Sequence, residues 1–307
     1  MEISAIEKNL LAQVADLHEV PEGAYNIRAN GQMAGRNTTA NIDIVTKTDK
    51  PGIDIRIKKG TKKESVHIPV VLSEAGLKET VYNDFFVGEG ADVVIIAGCG
   101  IHNCGEQASE HSGIHRFFVE KDAKVKYVEK HYGEGDGNGE RLMHPTTEIF
   151  LGEGAVLEMD TVQIKGIDST NRVTRAELKA GASLTIREKI MTHGKQSATT
   201  DFVVDMNGDD SHVNLVSRSV ARDESKQLFV SKIVGNAKCT GHSECDAIIM
   251  DSAVVSARPE LTAANIDAEL IHEAAIGKIA GEQMVKLMTL GLTTQEAEEQ
   301  IINGFLK

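Results

Sequence analysis

Apolar and polar residues alternate along most of the chain, and one alternating phrase keeps returning. It reads "GEGADVVI", "EKDAKVKY", "GEGAVLEM", "KAGASLTI", "GDDSHVNL", "VGNAKCTG" and "NIDAELIH". Each copy has a turn-forming pair, then a small residue, then period-two alternation, the pattern of a strand entered through a tight turn. The small residues are Ala91, Ala123, Ala155, Ala182, Ser211, Ala237 and Ala268, at intervals of 32, 32, 27, 29, 26 and 31 residues. So even an interval predicts a repeat architecture. No unit is long enough to bury its own apolar face, so the units must stack. "SLTIREKIM" and "NIDIVTKT" alternate in the same way. The expected fold is mainly β: an elongated solenoid, a parallel β-helix, from about Asn41 to Ala268. A large β-sandwich of hairpins is the competing architecture, but sandwiches rarely keep so regular a spacing.

The two ends follow other rules. "MEISAIEKNLLAQVADLHEV", Met1 to about Val20, reads as an amphipathic helix, and "PEGAYNIRANG" after it as loop. Beyond Ile276, Met284, Leu287, Met288, Ala297, Ile301 and Ile302 recur at helical spacing. Gly291 stops one helix and Thr293 or Thr294 caps the next, which predicts a helical hairpin. The expected organisation is therefore a helix and loop over 1–40, a β-helix core over 41–275 and a helical segment over 276–307. That last segment either packs on the end of the solenoid or docks a partner.

Composition sharpens this. Of the 307 residues 41% are hydrophobic, yet only 4% are aromatic and none is Trp. A core of Val, Ile, Leu and Ala suits regular stacking better than an irregular globule. The net charge of −13 argues against general attraction to nucleic acid or anionic lipid. No apolar run approaches the length of a membrane span, and the first residues lack the basic segment of an export signal. The expected location is the cytoplasm, where Cys99, Cys104, Cys239 and Cys245 serve as thiols or metal ligands rather than disulfides.

The densest candidate chemistry is "GCGIHNCGEQASEHSGIH", Gly98 to His115, with two cysteines and three histidines. Its spacing fits neither a ferredoxin run nor a zinc pair. In an extended strand Cys99 and Cys104 face opposite sides. The chain has no G-x-x-x-x-G-K-[ST] phosphate loop, so any ATP hydrolysis must come from a partner. A polysaccharide-acting β-helix enzyme is a remote alternative, because that class is usually exported.

"IHEAAIGKI" and "GLTTQEAEEQIINGFLK" closely resemble the carboxyl end of the SUF-system scaffold proteins, the SufB/SufD family. "SECDAIIMDSAVVSARPEL" and "GIHRFFVEKDAKVKYV" extend the resemblance over roughly Ala91 to Lys307. It implies a right-handed parallel β-helix with terminal helices, acting as a scaffold and not an enzyme. A transient iron–sulfur cluster is assembled near the interface between paired β-helices and passed to apo-proteins. The implied partners are an ABC-type ATPase subunit (SufC) on the C-terminal helices, a sulfur donor, and a second copy or a SufD-like paralogue. Because the solenoid starts earlier than in SufB, the resemblance also implies a compact version working as a homodimer.

By position, the resemblance makes Cys245 of "ECD" and His272 and Glu273 of "IHEA" the cluster ligands, with Asp246 in reserve; holding all three resembles the SufB branch. Cys245 lies 27 residues before His272 and 28 before Glu273, about one coil. Coils about 4.8 Å apart would let the thiol approach them, subject to register. Thiolate, imidazole and carboxylate together hold iron while leaving exchangeable positions. From the residues alone, Cys245 also reads as a small buried hydrophobe, and the His272–Glu273 pair as a solvated strand end. Cys99 resembles the family's sulfur-accepting cysteine, although "AGC" lacks the acid of "EGC" and the residues after it depart from the pattern. Cys104 is the substitute, and His115 reads as structural. The remaining alternative is a structural partner of the ATPase with a degenerate site.

Overall fold

The computed structural model describes residues 3–307. Helix α1 (Ala5–Ala15) precedes the strands β1 (Ala24–Ala29), β2 (Gln32–Asn37), β3 (Ile42–Thr46), β4 (Gly52–Ile57), β5 (Lys62–Leu72) and β6 (Lys78–Val87). Then come β7 (Asp92–His102), β8 (Ser109–Val119), β9 (Lys124–Glu134), β10 (Arg141–Met143), β11 (Thr146–Leu151), β12 (Val156–Lys165) and β13 (Ser169–Leu178). The chain continues through β14 (Ser183–Thr192), β15 (Ser197–Met206), β16 (Ser211–Ala221), β17 (Lys226–Gly235), β18 (Cys239–Ile249), β19 (Val254–Ala263) and β20 (Glu269–Gly277). Helices α2 (Gly281–Thr289) and α3 (Thr294–Phe305) follow.

The recurring phrase turns out to mark one side of every coil. Each anchoring small residue stands at the entrance of β7, β9, β12, β14, β16, β18 or β20, which are neighbours in a single sheet. The residue before the anchor is left-handed at Gly90, Asp122, Gly154, Gly181 and Asp210. Only Gly, or a short Asp or Asn, adopts that conformation cheaply, which is why the turn pair is written with those residues. The anchors from Ala91 to Ser211 are at most 1% exposed, because the corner of the coil has room for a small side chain only. The alternate strands form the second sheet, β19-β17-β15-β13-β10-β8-β6-β4-β3, with β11 also pairing β8 and β13. The result is a parallel β-solenoid of about 8 turns, as its repeat predicts.

The space between the sheets holds one long core of Ile, Val, Leu and Ala, with a few stacked rings such as Phe85 on Phe117 at 4.5 Å. Helix α1 lies against the outer face of the first sheet through Leu10, Leu11 and Val14. It fits there because Gly98 and Gly100 of β7 carry no side chain: a Cβ on Gly98 would sit 2.5 Å from the Val14 carbonyl. The helix is shorter than its apolar pattern predicts. A Ser4–Glu7 capping box starts it, and Asp16 ends it in the left-handed conformation. Met1 and Glu2 lie outside the described residues. Residues 21–31, read as loop from sequence, instead contribute β1, which pairs parallel to β5 and antiparallel to β2.

At the other end the last coil is open. β19 and β20 end their sheets, most of their residues are exposed, and among the described residues their outer edges have no neighbouring strand. Helix α3 folds back onto the flank of the solenoid, where Ile302 and Leu306 meet Val220. Helix α2 buries none of its residues. No helix among the described residues is long and apolar enough to cross a membrane.

Candidate functional site

Strand β18 alternates strictly, with Cys239, Ser243, Cys245 and Ala247 turned inward and His242, Glu244 and Asp246 turned outward. Cys245 is 1% exposed. Burial, with the charges of Glu188 and Asp246, pushes its thiol up to about 12. The register with β20 then decides which expected ligands can meet. Cys245 pairs with Ala274, Ser243 with His272 and Glu244 with Glu273. His272 therefore shares the inward face with Cys245, offset by two residues along the strand. Glu273 lies on the opposite face. Asp246, next to Cys245 in sequence, is also outward. The Nδ1 atom of His272 is buried without a hydrogen-bond partner, a costly state for an imidazole unless something ligates it or accepts its proton.

Glu273 instead joins a second group that spacing alone did not single out. His242, Glu244 and Glu273 bring ligand atoms within 4.8 Å of one another on the outer face of the last coils. His242 Nε2 stands 3.5 Å from the Glu273 carboxylate. Partial burial and the neighbouring Asp246 raise Glu244 above its ordinary value. One imidazole and two carboxylates are a donor set suited to a divalent first-row metal.

Behind Cys245 runs a file of buried polar side chains. Glu129, Thr161, Glu188, Ser217 and Cys245 are successive ladder partners on the inward face of β9, β12, β14, β16 and β18. Arg172, from the opposite sheet, donates to Glu129 at 2.7 Å and lies 3.4 Å from Glu188. Burial alone would raise Glu129, but His131 and Arg172 together hold its carboxyl well below its ordinary value. Burial wins at Glu188, which stays raised although Arg172, Thr200 and Ser217 pull it down. Charges this deep persist only as pairs. Small cavities mark both ends of the file. One of about 10 Å³ adjoins Cys245, Glu188 and Ser217, and one of about 20 Å³ adjoins Cys99, His115, Glu129 and His131. Each has room for about one water, not for a cluster. A cluster at Cys245 fits only if the open last coil contributes space.

The opening cysteines separate as their parity requires. Cys99 is 3% exposed and is the ladder partner of His131. Burial, then Glu79 and Glu129, pushes its thiol well above the ordinary range. Cys104 is exposed. His115 is inward and fully hydrogen-bonded, to Asn83 and Tyr127, as a structural residue should be.

Comparison with known proteins gives a consistent answer. A family profile described as "SUF system FeS cluster assembly, SufBD core domain" matches residues 79–305. An Archaeoglobus fulgidus protein named iron-sulfur cluster assembly SufBD family protein is 31% identical over 84% of this chain and 69% of its own length. A like-named Methanothermobacter thermautotrophicus protein is 27% identical over 83% of this chain, which spans 62% of that relative. One from Methanocaldococcus jannaschii is 28% identical over 82% of this chain and 79% of its own.

Proposed function

The chain belongs to the SufBD family of iron–sulfur cluster assembly proteins, and from that premise we propose that it is a scaffold on which a cluster is built at the open end of the solenoid. The cluster is cargo, held by Cys245 and His272 and handed to apo-proteins, while Glu273 faces outward with His242 and Glu244, away from that pair. The observation that carries this reading is the pairing of an inward thiol, Cys245, with an inward imidazole whose Nδ1 is buried and unpartnered. Both belong to the last two coils, where a partner can still close the site.

The same reading gives each end of the molecule a task. The unpaired edges of β19 and β20, with Ile271 57% and Ile266 99% exposed, suit pairing with a second copy or a paralogous scaffold subunit. The segment 276–307 suits an ABC-type ATPase, SufC, since α2 leaves Val285, Met288 and the following Leu290 exposed. The energy of ATP hydrolysis then comes from the partner, and the chain itself is not an enzyme. Cys99 is the candidate acceptor of the donor's sulfur, five coil steps or roughly 24 Å from Cys245. Four free cysteines suit a reducing cytoplasm.

Anaerobic reconstitution with ferrous iron and inorganic sulfide tests the ligand assignment. Wild type should take up iron and show thiolate-to-iron charge-transfer absorbance, and Cys245→Ala should lose most of both. Equal loading of the two would remove Cys245 from the site. Absence of loading in wild type, with the ATPase present, would leave a structural partner with a degenerate site.

A further inference from the structure

Three of the eight phenylalanines stand in a row on the outside of the second sheet. Phe86, Phe118 and Phe150 each occupy the next-to-last position of a strand, in "FFV", "FFV" and "IFL". They are successive ladder partners on β6, β8 and β11. Their rings stack at 5.1 and 5.2 Å, within 8° of parallel. The residues just before them, Phe85, Phe117 and Ile149, point inward and fill the core. The core asks nothing of the outward positions, and the row two residues earlier, Asp84, Arg116 and Glu148, is charged throughout. Phe86 and Phe150 are 38% and 37% exposed, although the Arg56 and Arg116 guanidinium groups lie 5.8 Å from the Phe86 and Phe118 ring centres. In a chain with only 4% aromatic residues, a stacked apolar row turned to solvent marks a contact surface.

Phe118 and Phe150 line a groove of about 590 Å³ on this flank. The neighbouring turns give it an acidic border: Glu89, Glu120 and Glu153. Beyond Phe150 the row of rings itself continues as Glu177. Lys121 and Lys179 are the cations of the lining. Lys121 is taken up by Glu153 at 3.4 Å, and Glu120 is fixed in place by the Glu89 N–H, which donates to it at 3.0 Å. Four carboxylates against two ammonium groups, one of them paired, leave the groove acidic. It runs from Glu89, before β7, to Asn207, before β16. That is four coil steps, roughly 19 Å, the length of about six residues of extended chain.

We propose that this groove docks an extended segment of a partner protein in which aromatic or large aliphatic side chains alternate with Lys or Arg. Successive side chains of an extended chain point to opposite sides. Every second residue can therefore lie on the ring row while the residues between reach the carboxylates of the turns. The rings supply the apolar contact, and stacked or edge-on packing favours an aromatic side chain there. The carboxylates select a basic segment and repel nucleic acid or an anionic lipid surface. The groove belongs to the coils between β6 and β16, apart from the last coils and from the C-terminal helices, so its use does not depend on the scaffold reading.

The test uses the full chain and, as probe, a fluorescein-labelled hexapeptide alternating phenylalanine and lysine, with binding read by fluorescence anisotropy at low salt. Wild type should bind it at least tenfold more tightly than the same peptide with glutamate for lysine, or with serine for phenylalanine. Phe118→Gln combined with Phe150→Gln should weaken binding about tenfold without lowering the melting temperature, because both rings are outward. Glu120→Lys combined with Glu177→Lys should reverse the preference, so that the glutamate peptide becomes the tighter ligand. That reversal is read on the preference between two peptides, and it tests the groove even if the double Phe variant is unstable. Wild type that binds neither peptide, or both equally, overturns the proposal, as does unchanged affinity in a folded double Phe variant. Self-association of wild type that disappears in that variant would give the groove to a second copy and overturn it too.

Discussion

His115 shows how a single residue is fitted to this interior. Its Nδ1–H donates to the Tyr127 hydroxyl at 2.9 Å, that hydroxyl donates to Glu129 at 3.0 Å, and Nε2 accepts from Asn83 at 3.3 Å. Every partner suits a neutral ring, and burial pushes its pKa down to about 4. Between pH 6.5 and 4 the unfolded chain binds a proton that the folded chain refuses, so stability falls as pH falls through that window. The effect is on the order of 3 kcal/mol. Glu129, held low, likewise loses stabilisation as pH falls, at the acid end. Glu188, raised, works the other way, its contribution fading as pH rises through its folded pKa. In urea denaturation across this range, His115→Gln should therefore give a flatter dependence of stability on pH than wild type. An identical slope would mean the ring takes up its proton equally in the folded and unfolded chain. The polar file that includes Glu129 and Glu188 was legible in sequence as far as Ser217, because Glu129, Thr161, Glu188 and Ser217 repeat at 32, 27 and 29 residues, the intervals of the anchors from Ala123 to Ser211. The facing of Glu273 was not. The coil from β18 to β20 takes 29 residues, Cys245 to Ala274. His272, at 27, shares the inward face out of register, and Glu273, at 28, is on the other side. A one-residue difference in coil length reverses a face.

At the scale of elements, the helices depend on what the strands leave open for them. Helix α1 can lie on β7 only because Gly98 and Gly100 are bare. Gly98→Ala should lift it, lowering stability by about 1–3 kcal/mol, with amide exchange speeding up over residues 5–15 while the later coils keep their protection. Unchanged exchange in that segment would show that α1 is held by other contacts. Helix α2 is the opposite case, an element that packs on almost nothing. Val285→Asp combined with Met288→Asp should weaken binding of the ATPase at least tenfold, read by titration calorimetry, without lowering the melting temperature. A fall in melting temperature with unchanged affinity would assign α2 to the fold instead. The amphipathic spacing predicted both C-terminal helices, but spacing reports only that a face is apolar, not what covers it. The N-terminal strands were hidden for a related reason: β1 is short and its pattern is broken by Asn26 and Arg28, so its pairing with β5 and β2 is what makes it a strand.

For the whole molecule, the repeat gives a rod with one end finished by the β1–β2 and β3–β4 hairpins and the other left open, and the candidate ligands lie at the open end. A buried thiol at about 12 is a poor ligand until a metal beside it displaces its proton. A scaffold that must release its cargo is served by a site that forms when its end is covered and weakens when it opens. Transfer is therefore the property that separates a scaffold from a protein that merely binds iron. The deciding measurement is anaerobic transfer from the reconstituted protein to an apo-ferredoxin, with a metal chelator present to trap free iron. The account predicts that wild type converts the apo-ferredoxin to its holo form while losing its own charge-transfer absorbance, and that protein prepared from Cys245→Ala transfers nothing above an iron-and-sulfide control. A wild-type protein that keeps its iron, or that transfers no faster than that control, would contradict it.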